Sequence, residues 1–257
     1  MTRPKVTARL ECQEPVGQAM RISLFIPCFV DQFFPRIGTN IITLLEKLNH
    51  EVDYPERQTC CGQPAFNAGF CGESREAAEA FVDCFRDTQT VVVPSGSCAA
   101  MVKSHYRELF KDTDLFDTVC ELGDRTWELS EFLVRVLGVT DVGARFPGKA
   151  TFHDGCHGLR ELGIKESPRE LLRHVRELEL VEMEEAESCC GFGGTFSVKF
   201  PQISTAMAQV KCASIEETGA RYVVSNDPSC LLHLRGYIDR QGKPIECLHL
   251  SEVLVRS

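Results

Sequence analysis

The chain has 257 residues, 43% of them hydrophobic and 25% charged, an ordinary globular composition with room for one large domain or two of roughly 120 residues. Its formal net charge of −9 argues against nucleic acid, whose phosphates need Lys and Arg to displace counterions, and against an anionic membrane surface. No apolar run approaches the roughly 20 residues that span a bilayer, and the stretch from Met1 to Met20 mixes Arg3, Lys5 and Arg9 with Glu11 and Glu14, without the apolar centre of a signal peptide, so a cytoplasmic protein is expected.

In chain order, residues 1–19 read as a loosely held arm, or Met20 as the true start. Ile22–Ile26 is a short apolar run of the kind that forms a buried strand, and Cys28 follows it. Thr39–Leu48 carries Ile42, Leu45 and Leu48 at helical spacing. A strand-like run, Glu51–Tyr54, precedes Cys60-Cys61-Gly62, after which Ser74 caps a helix with Ala77, Phe81, Cys84 and Phe85 on one face. Val91-Val92-Val93 is a strand leading to Cys98, and Thr126–Leu137 reads as a linking helix stopped by Gly138. The order then recurs. Ala150–His153 is a strand before Cys156, and Pro168–Val175 is a helix with Ser167 as N-cap, Pro168 at its first position and Leu171, Leu172 and Val175 facing inward. Glu177–Met183 is a strand before Cys189-Cys190-Gly191, the next helix groups Ala206, Val210 and Ala213 and stops at Gly219, and Tyr222-Val223-Val224 leads to Cys230.

The spacing of the cysteines repeats with the elements. Cys28, Cys60–Cys61 and Cys98 are separated by 31 and 36 residues, and Cys156, Cys189–Cys190 and Cys230 by 32 and 39. Each half therefore reads strand, helix, strand, helix, strand, which predicts an α/β fold of two similar repeats with parallel sheets, related by a pseudo-two-fold duplication. The expected domains are 20–125 and 145–257, joined by a linking helix over 126–144. Ligands of parallel sheets bind beyond the carboxyl ends of the strands, where both sets of cysteines fall, so each set should converge.

The chain has 14 cysteines. In a reducing compartment disulfides are disfavoured, leaving metal, redox chemistry or packing. Thiolates select zinc, copper(I) or iron–sulfur clusters. Structural zinc usually takes two Cys-x-x-Cys knuckles, absent here, and adjacent cysteines reach two irons of a cluster more easily than one small ion. The glycines of Cys189-Cys190-Gly191-Phe192-Gly193-Gly194 let backbone N–H groups approach sulfur; the dinucleotide spacing Gly-x-Gly-x-x-Gly is absent. Cys12, Cys71, Cys84, Cys120, Cys212 and Cys247 fall outside the repeat, Cys71 being the best extra ligand and Cys84 a core residue. His153 and His157 flank Cys156 as outer-sphere donors, proton carriers, or ordinary surface or core histidines, and Glu182–Glu187 reads as a solvated acidic loop or a docking surface for a basic partner.

Several stretches carry a family likeness: Ser23-Leu24-Phe25 leading to Cys28, Cys60-Cys61-Gly62-Gln63-Pro64-Ala65, Pro94-Ser95-Gly96-Ser97-Cys98, and Cys189-Cys190-Gly191-Phe192-Gly193-Gly194-Thr195-Phe196-Ser197-Val198-Lys199. From Met20 onward the chain resembles the cysteine-rich (CCG) family, which includes the cysteine-rich components of heterodisulfide reductase, of glycolate oxidase and of anaerobic glycerol-3-phosphate dehydrogenase. It resembles most of all the family's lactate-utilisation A branch. The resemblance implies one or two iron–sulfur clusters of the [4Fe–4S] type on Cys28, Cys60, Cys61, Cys98, Cys156, Cys189, Cys190 and Cys230. It further implies a non-catalytic electron-transfer role in oxidising L-lactate to pyruvate, beside two partner proteins, one of them ferredoxin-like. The heterodisulfide reductase motif ends in Cys-x-x-Cys, whereas Ser95 and Asp227 stand at the first of those positions here. That departure argues against the noncubane double cluster and makes Asp227 a candidate oxygen ligand. A thiol–disulfide redox enzyme and a zinc-stabilised scaffold are the competing readings.

Overall fold

The computed structural model describes residues 19–257; the expected N-terminal arm, with Cys12, falls almost wholly outside them. In the first half β1 (Arg21–Leu24) leads to α1 (Cys28–Phe33) and α2 (Pro35–Lys47), and β2 (Glu51–Asp53) to α3 (Gln63–Asn67) and α4 (Cys71–Phe85). β3 (Val91–Val93) continues into α5 (Gly96–Ala100), a π-helical turn (Met101–His105), α6 (Tyr106–Leu109) and α7 (Phe116–Asp124), and β4 (Thr126–Glu128) completes the sheet. α8 (Leu129–Glu131) and a second π-helical turn (Phe132–Val136) then lead to β5 (Arg145–His153), α9 (Cys156–Leu162) and α10 (Glu166–Arg173). β6 (Arg176–Val181), α11 (Thr195–Lys199), α12 (Pro201–Glu217), β7 (Tyr222–Ser225), α13 (Pro228–Arg240), β8 (Glu246–His249) and α14 (Leu250–Leu254) complete the second half.

Each half is a four-stranded, wholly parallel sheet, ordered β2-β1-β3-β4 and β6-β5-β7-β8. Leu24 pairs with Val92 and Val92 with Trp127; Phe152 pairs with Val224 and Val224 with Leu248. Parallel strands covered on both faces must be apolar on both faces, and Val91, Val92 and Val93 are all fully buried. The largest apolar cluster takes Ile22, Leu24, Ile41 and Leu45 from the first half and Ala150, Phe152, Leu172 and Leu250 from the second. Separate clusters around Phe25, Phe81 and Tyr106, and around Cys212, Val223 and Ile238, fill the other side of each sheet. Among the described residues no helix is long and apolar enough to cross a membrane.

Four local readings are corrected. Thr126–Glu128 is a strand and not the start of a helix; helical backbone begins only at Leu129. Ser167 lies inside α10, whose N-cap is Lys165, and Ser74 lies inside α4, which starts at Cys71. On α12 the face of Ala206, Val210 and Ala213 points to solvent, and Ser204, Ala208, Lys211, Cys212 and Ile215 are buried. The periodicity misleads there because a lysine occupies a core position, its ammonium taken up by the Glu185 and Ala186 carbonyls.

Candidate metal centre

Strand order places the switch point of each sheet between β1 and β3, and between β5 and β7, where successive crossovers leave to opposite sides and open a crevice. Cys28 and Cys98 follow β1 and β3; Cys156 and Cys230 follow β5 and β7. The loops after β2 and β6 bring Cys60–Cys61 and Cys189–Cys190 to the same edges. Cys28 Sγ lies 3.4 Å from Cys60 Sγ, and Cys61 Sγ 3.4 Å from Cys98 Sγ. Cys156 contacts Cys189 and Cys190 contacts Cys230 in the same way. All eight line one cavity of about 140 Å³, closed at its sides by Phe29 and Phe192, whose rings meet at 5.5 Å. Each set was expected to converge at the edge of its own sheet; the halves also bring both sets to a shared chamber.

The Cys-Cys-Gly turns are held in the same way twice. Gly62 and Gly191 adopt φ of +83° and +93°, a region that L side chains avoid. Ser74 Oγ donates to the Gly62 carbonyl at 3.1 Å and Ser204 Oγ to the Gly191 carbonyl at 2.8 Å, so each turn is tied to the helix that follows. The N–H groups of Gly62 and Gly191 point at Cys60 and Cys189 sulfur at 3.4 Å, and Phe192 N–H at Cys190 sulfur at 3.5 Å. Hydrogen bonds from the Cys28 and Cys61 thiols and the Gly62 N–H hold Cys60 down at about 3, while Cys28, sharing its proton in that contact, is pushed up. Cys189 is lowered by the Cys156 and Cys190 thiols, and Cys156 is raised. Each set therefore contains one cysteine, Cys60 or Cys189, whose thiolate its neighbours favour, within a donor set suited to a thiophilic metal or cluster.

The two halves are joined beside these cysteines. Asp227, at the start of α13, accepts from Ser97 N at 3.0 Å and Ser97 Oγ at 3.3 Å, capping α5 of the opposite half, and from Ser229 Oγ at 2.8 Å. Its carboxylate, considered above as an oxygen ligand, is thus occupied with hydrogen bonds at the cavity wall, and burial pushes its pKa up. Ser95 Oγ caps the same helix by accepting from Cys98 N at 3.4 Å. α5 and α9 cross closely at Gly96 and Gly158; a Cβ on Gly96 would lie 3.2 Å from Gly158 Cα. His249 Nε2 donates to the Pro94 carbonyl at 2.9 Å while its Nδ1 accepts from Ser251 N at 3.1 Å.

Behind the sulfurs the repeat breaks. In the first half Phe25, three residues before Cys28, packs edge-on against Phe81 at 4.8 Å, and Tyr106 donates to the Cys61 carbonyl at 3.0 Å. The corresponding positions in the second half, three before Cys156 and seven after Ser204, are His153 and Lys211. Both are fully buried. His153, left open in sequence as an outer-sphere donor or a satisfied histidine, has no hydrogen-bond partner for either ring nitrogen among the described residues. Burial, with Lys211 nearby, holds it down at about 3, so the ring is neutral. His157 lies at the cavity rim with Nδ1 2.6 Å from Glu161, which also meets His105 Nε2 at 2.9 Å. Cys71 is exposed and outside the cavity wall, Cys84 packs half-buried against the first core, and Cys212 is buried in the second. The acidic stretch is not simply solvated: Glu182 pairs with buried Arg169, which also grips Asp154 through two 2.8 Å bonds, and Glu187 pairs with Lys165 at 2.5 Å. Sequence reasoning passed over Lys211, Ser204 and His105; only the parallel placement of Ser74 and Ser204 after their glycines was a signal.

A family described as "Cysteine-rich domain" matches residues 22–103 and 150–235, which are the two cysteine-bearing units. Lactate utilization protein A of Geobacillus thermodenitrificans is 48% identical over 91% of this chain and 98% of its own length. The protein of that name from Bacillus pumilus is 47% identical over 91% and 99%. Among solved structures, a glutamate racemase from Bacillus anthracis aligns with a TM-score of 0.36 at 12% identity, over 93% of this chain and 79% of its own. The duplicated match and the near full-length identity place this chain in the cysteine-rich domain family, among its lactate utilization protein A members.

Proposed function

We propose that this chain is an iron–sulfur electron-transfer protein, with Cys28, Cys60, Cys61 and Cys98 holding one centre and Cys156, Cys189, Cys190 and Cys230 the other. The observation that carries the reading is the meeting of eight cysteines, in two equivalent sets, around one cavity at the switch points of two parallel sheets. When bound, such a group supplies reversible one-electron exchange. The chain's own part is to hold the thiolates, direct the Gly62, Gly191 and Phe192 N–H groups at sulfur, and exclude water with Phe29 and Phe192. Relatives bearing the name lactate utilization protein A support a role in lactate utilisation; within it we assign the chain to L-lactate oxidation, as a cytoplasmic member of a multi-protein system with two partners, one ferredoxin-like. No acid–base or nucleophilic residue set for turning over lactate is part of this reading.

Anaerobic purification followed by iron and acid-labile sulfide analysis tests it. Iron and sulfide at about four or eight per chain, with a reducible EPR spectrum, are expected. Stoichiometric zinc without sulfide, persisting after anaerobic reconstitution, overturns it. Lactate oxidation should need the partner proteins, with the isolated chain inactive; turnover of L-lactate by the isolated chain refutes the electron-transfer role.

A further inference from the structure

His153 is the last residue of β5, three residues ahead of Cys156, and lies beside Cys190 and Cys230 of the second cysteine set. Its ring is fully buried, and neither Nδ1 nor Nε2 finds a hydrogen-bond partner among the described residues. The Ala186 carbonyl lies beside the ring but makes no properly directed hydrogen bond to either nitrogen, and it is already taken by Asp154 N at 3.1 Å and Lys211 Nζ at 3.1 Å. A buried polar group without a partner costs about 1–3 kcal/mol, and such groups are rare enough to call for a reason. Packing does not supply one, because at the equivalent place in the first half Phe25 fills the space against Phe81 with no polar atom to satisfy.

The sulfurs facing the ring supply it. A ring nitrogen of His153, Cys190 Sγ and Cys230 Sγ all lie within 4.8 Å of one another. Two donors on one tetrahedral metal at typical imidazole and thiolate bond lengths lie about 3.6 Å apart, so the ring nitrogen has to close by no more than about 1.2 Å. We infer that His153 contributes an imidazole nitrogen to the metal centre of the second cysteine set, which makes the two centres of the chain chemically different. The inference rests on the iron–sulfur reading above. A [4Fe–4S] cluster takes one protein ligand per iron, so the imidazole takes the place of one of the four thiolates of this set; that exchange removes negative charge from the cluster and raises its potential, as in mixed His/Cys clusters. With Lys211 also at hand, the second centre becomes the more oxidising of the two.

The test uses the full chain, purified anaerobically or reconstituted with ferrous iron and sulfide, with and without isotopically labelled histidine, and read by pulsed EPR after reduction. A strongly coupled histidine nitrogen is expected in the unmodified protein and should be lost in both His153→Phe and His153→Gln. The Phe variant copies the first half, and the Gln variant keeps a polar side chain if Phe disturbs folding. The more positive of two reduction midpoints should fall in both variants, with the other unchanged. Iron and sulfide present but no strong histidine coupling in the unmodified protein overturns the inference and leaves the electron-transfer reading standing. Coupling that persists in His153→Gln assigns the nitrogen to another histidine and overturns it as well. Absence of iron and sulfide after reconstitution removes both readings together.

Discussion

Replacing Gly191 by alanine tests whether the second Cys-Cys-Gly turn is rigid. A Cβ at this position would lie 2.7 Å from the Ser204 carbonyl oxygen and 2.9 Å from Met207 Cβ, at a φ of +93°. Both obstacles belong to α12 and cannot swing aside as the tip of a long side chain would. The left-handed backbone costs an alanine about 1–2 kcal/mol, and forcing an extra carbon into a packed site about 1–3 kcal/mol. Gly191→Ala should therefore lose about 2–5 kcal/mol. Gly163 is the control: its φ is +67° and no atom would come within 4 Å of a Cβ, so Gly163→Ala bears only the backbone term of about 1–2 kcal/mol. Urea unfolding of the metal-free variants, with m-values compared to confirm like transitions, reads the difference. Anaerobic iron analysis should show Gly191→Ala depleted in the second centre and Gly163→Ala full. Equal losses for the two variants, within about 0.5 kcal/mol, would mean the turn yields freely, and the Ser204 tie would lose its proposed role.

Three other perturbations probe different parts of the molecule. Cys61→Ser and Cys190→Ser should each lower the iron of their own half while Cys84→Ser retains it; full iron in the first two would reject the ligand assignment. Asp227→Ala removes the acceptor for Ser97 N–H across the two halves and should cost about 2–4 kcal/mol in denaturant, with Asp227→Asn milder because its amide oxygen still accepts; equal losses would refute the capping account, and an unchanged cluster spectrum would remove Asp227 as a ligand. Burial pushes Glu128 up to about 7 although its Oε2 caps α8, and its Oε1 lacks a partner. The folded state therefore holds this proton more tightly than the unfolded chain, so the stability it contributes is full below about pH 4.5 and lost as pH rises through about 7. That slope, about 3 kcal/mol in all, should vanish in Glu128→Gln, and a slope that survives the substitution would assign it to another group.

The sequence by itself determined the duplication, the parallel α/β class and the eight cysteines after strand ends. Those follow from short-range chemistry: β-branched runs, helical spacing, and glycines where a turn needs positive φ. Two short strands, Thr126–Glu128 and Glu246–His249, lay below its reach, because neither has the unbroken β-branched run that marked Val91–Val93 and Tyr222–Val224. The inward face of α12 was misread for a related reason. A lysine belongs in a core only when carbonyls from another loop wait for its ammonium, and those carbonyls are 25 and 26 residues away. Only the tertiary structure decided that both cysteine sets open on one cavity. That depends on the approach of Gly96 to Gly158, on Asp227 reaching Ser97 across 130 residues, and on His249 reaching Pro94 across 155. It also decided that the two sets differ, with Phe25 and Phe81 behind one, His153 and Lys211 behind the other. Identity at each position was visible in the sequence; which side chains share a space is set by long-range packing, which no local pattern encodes.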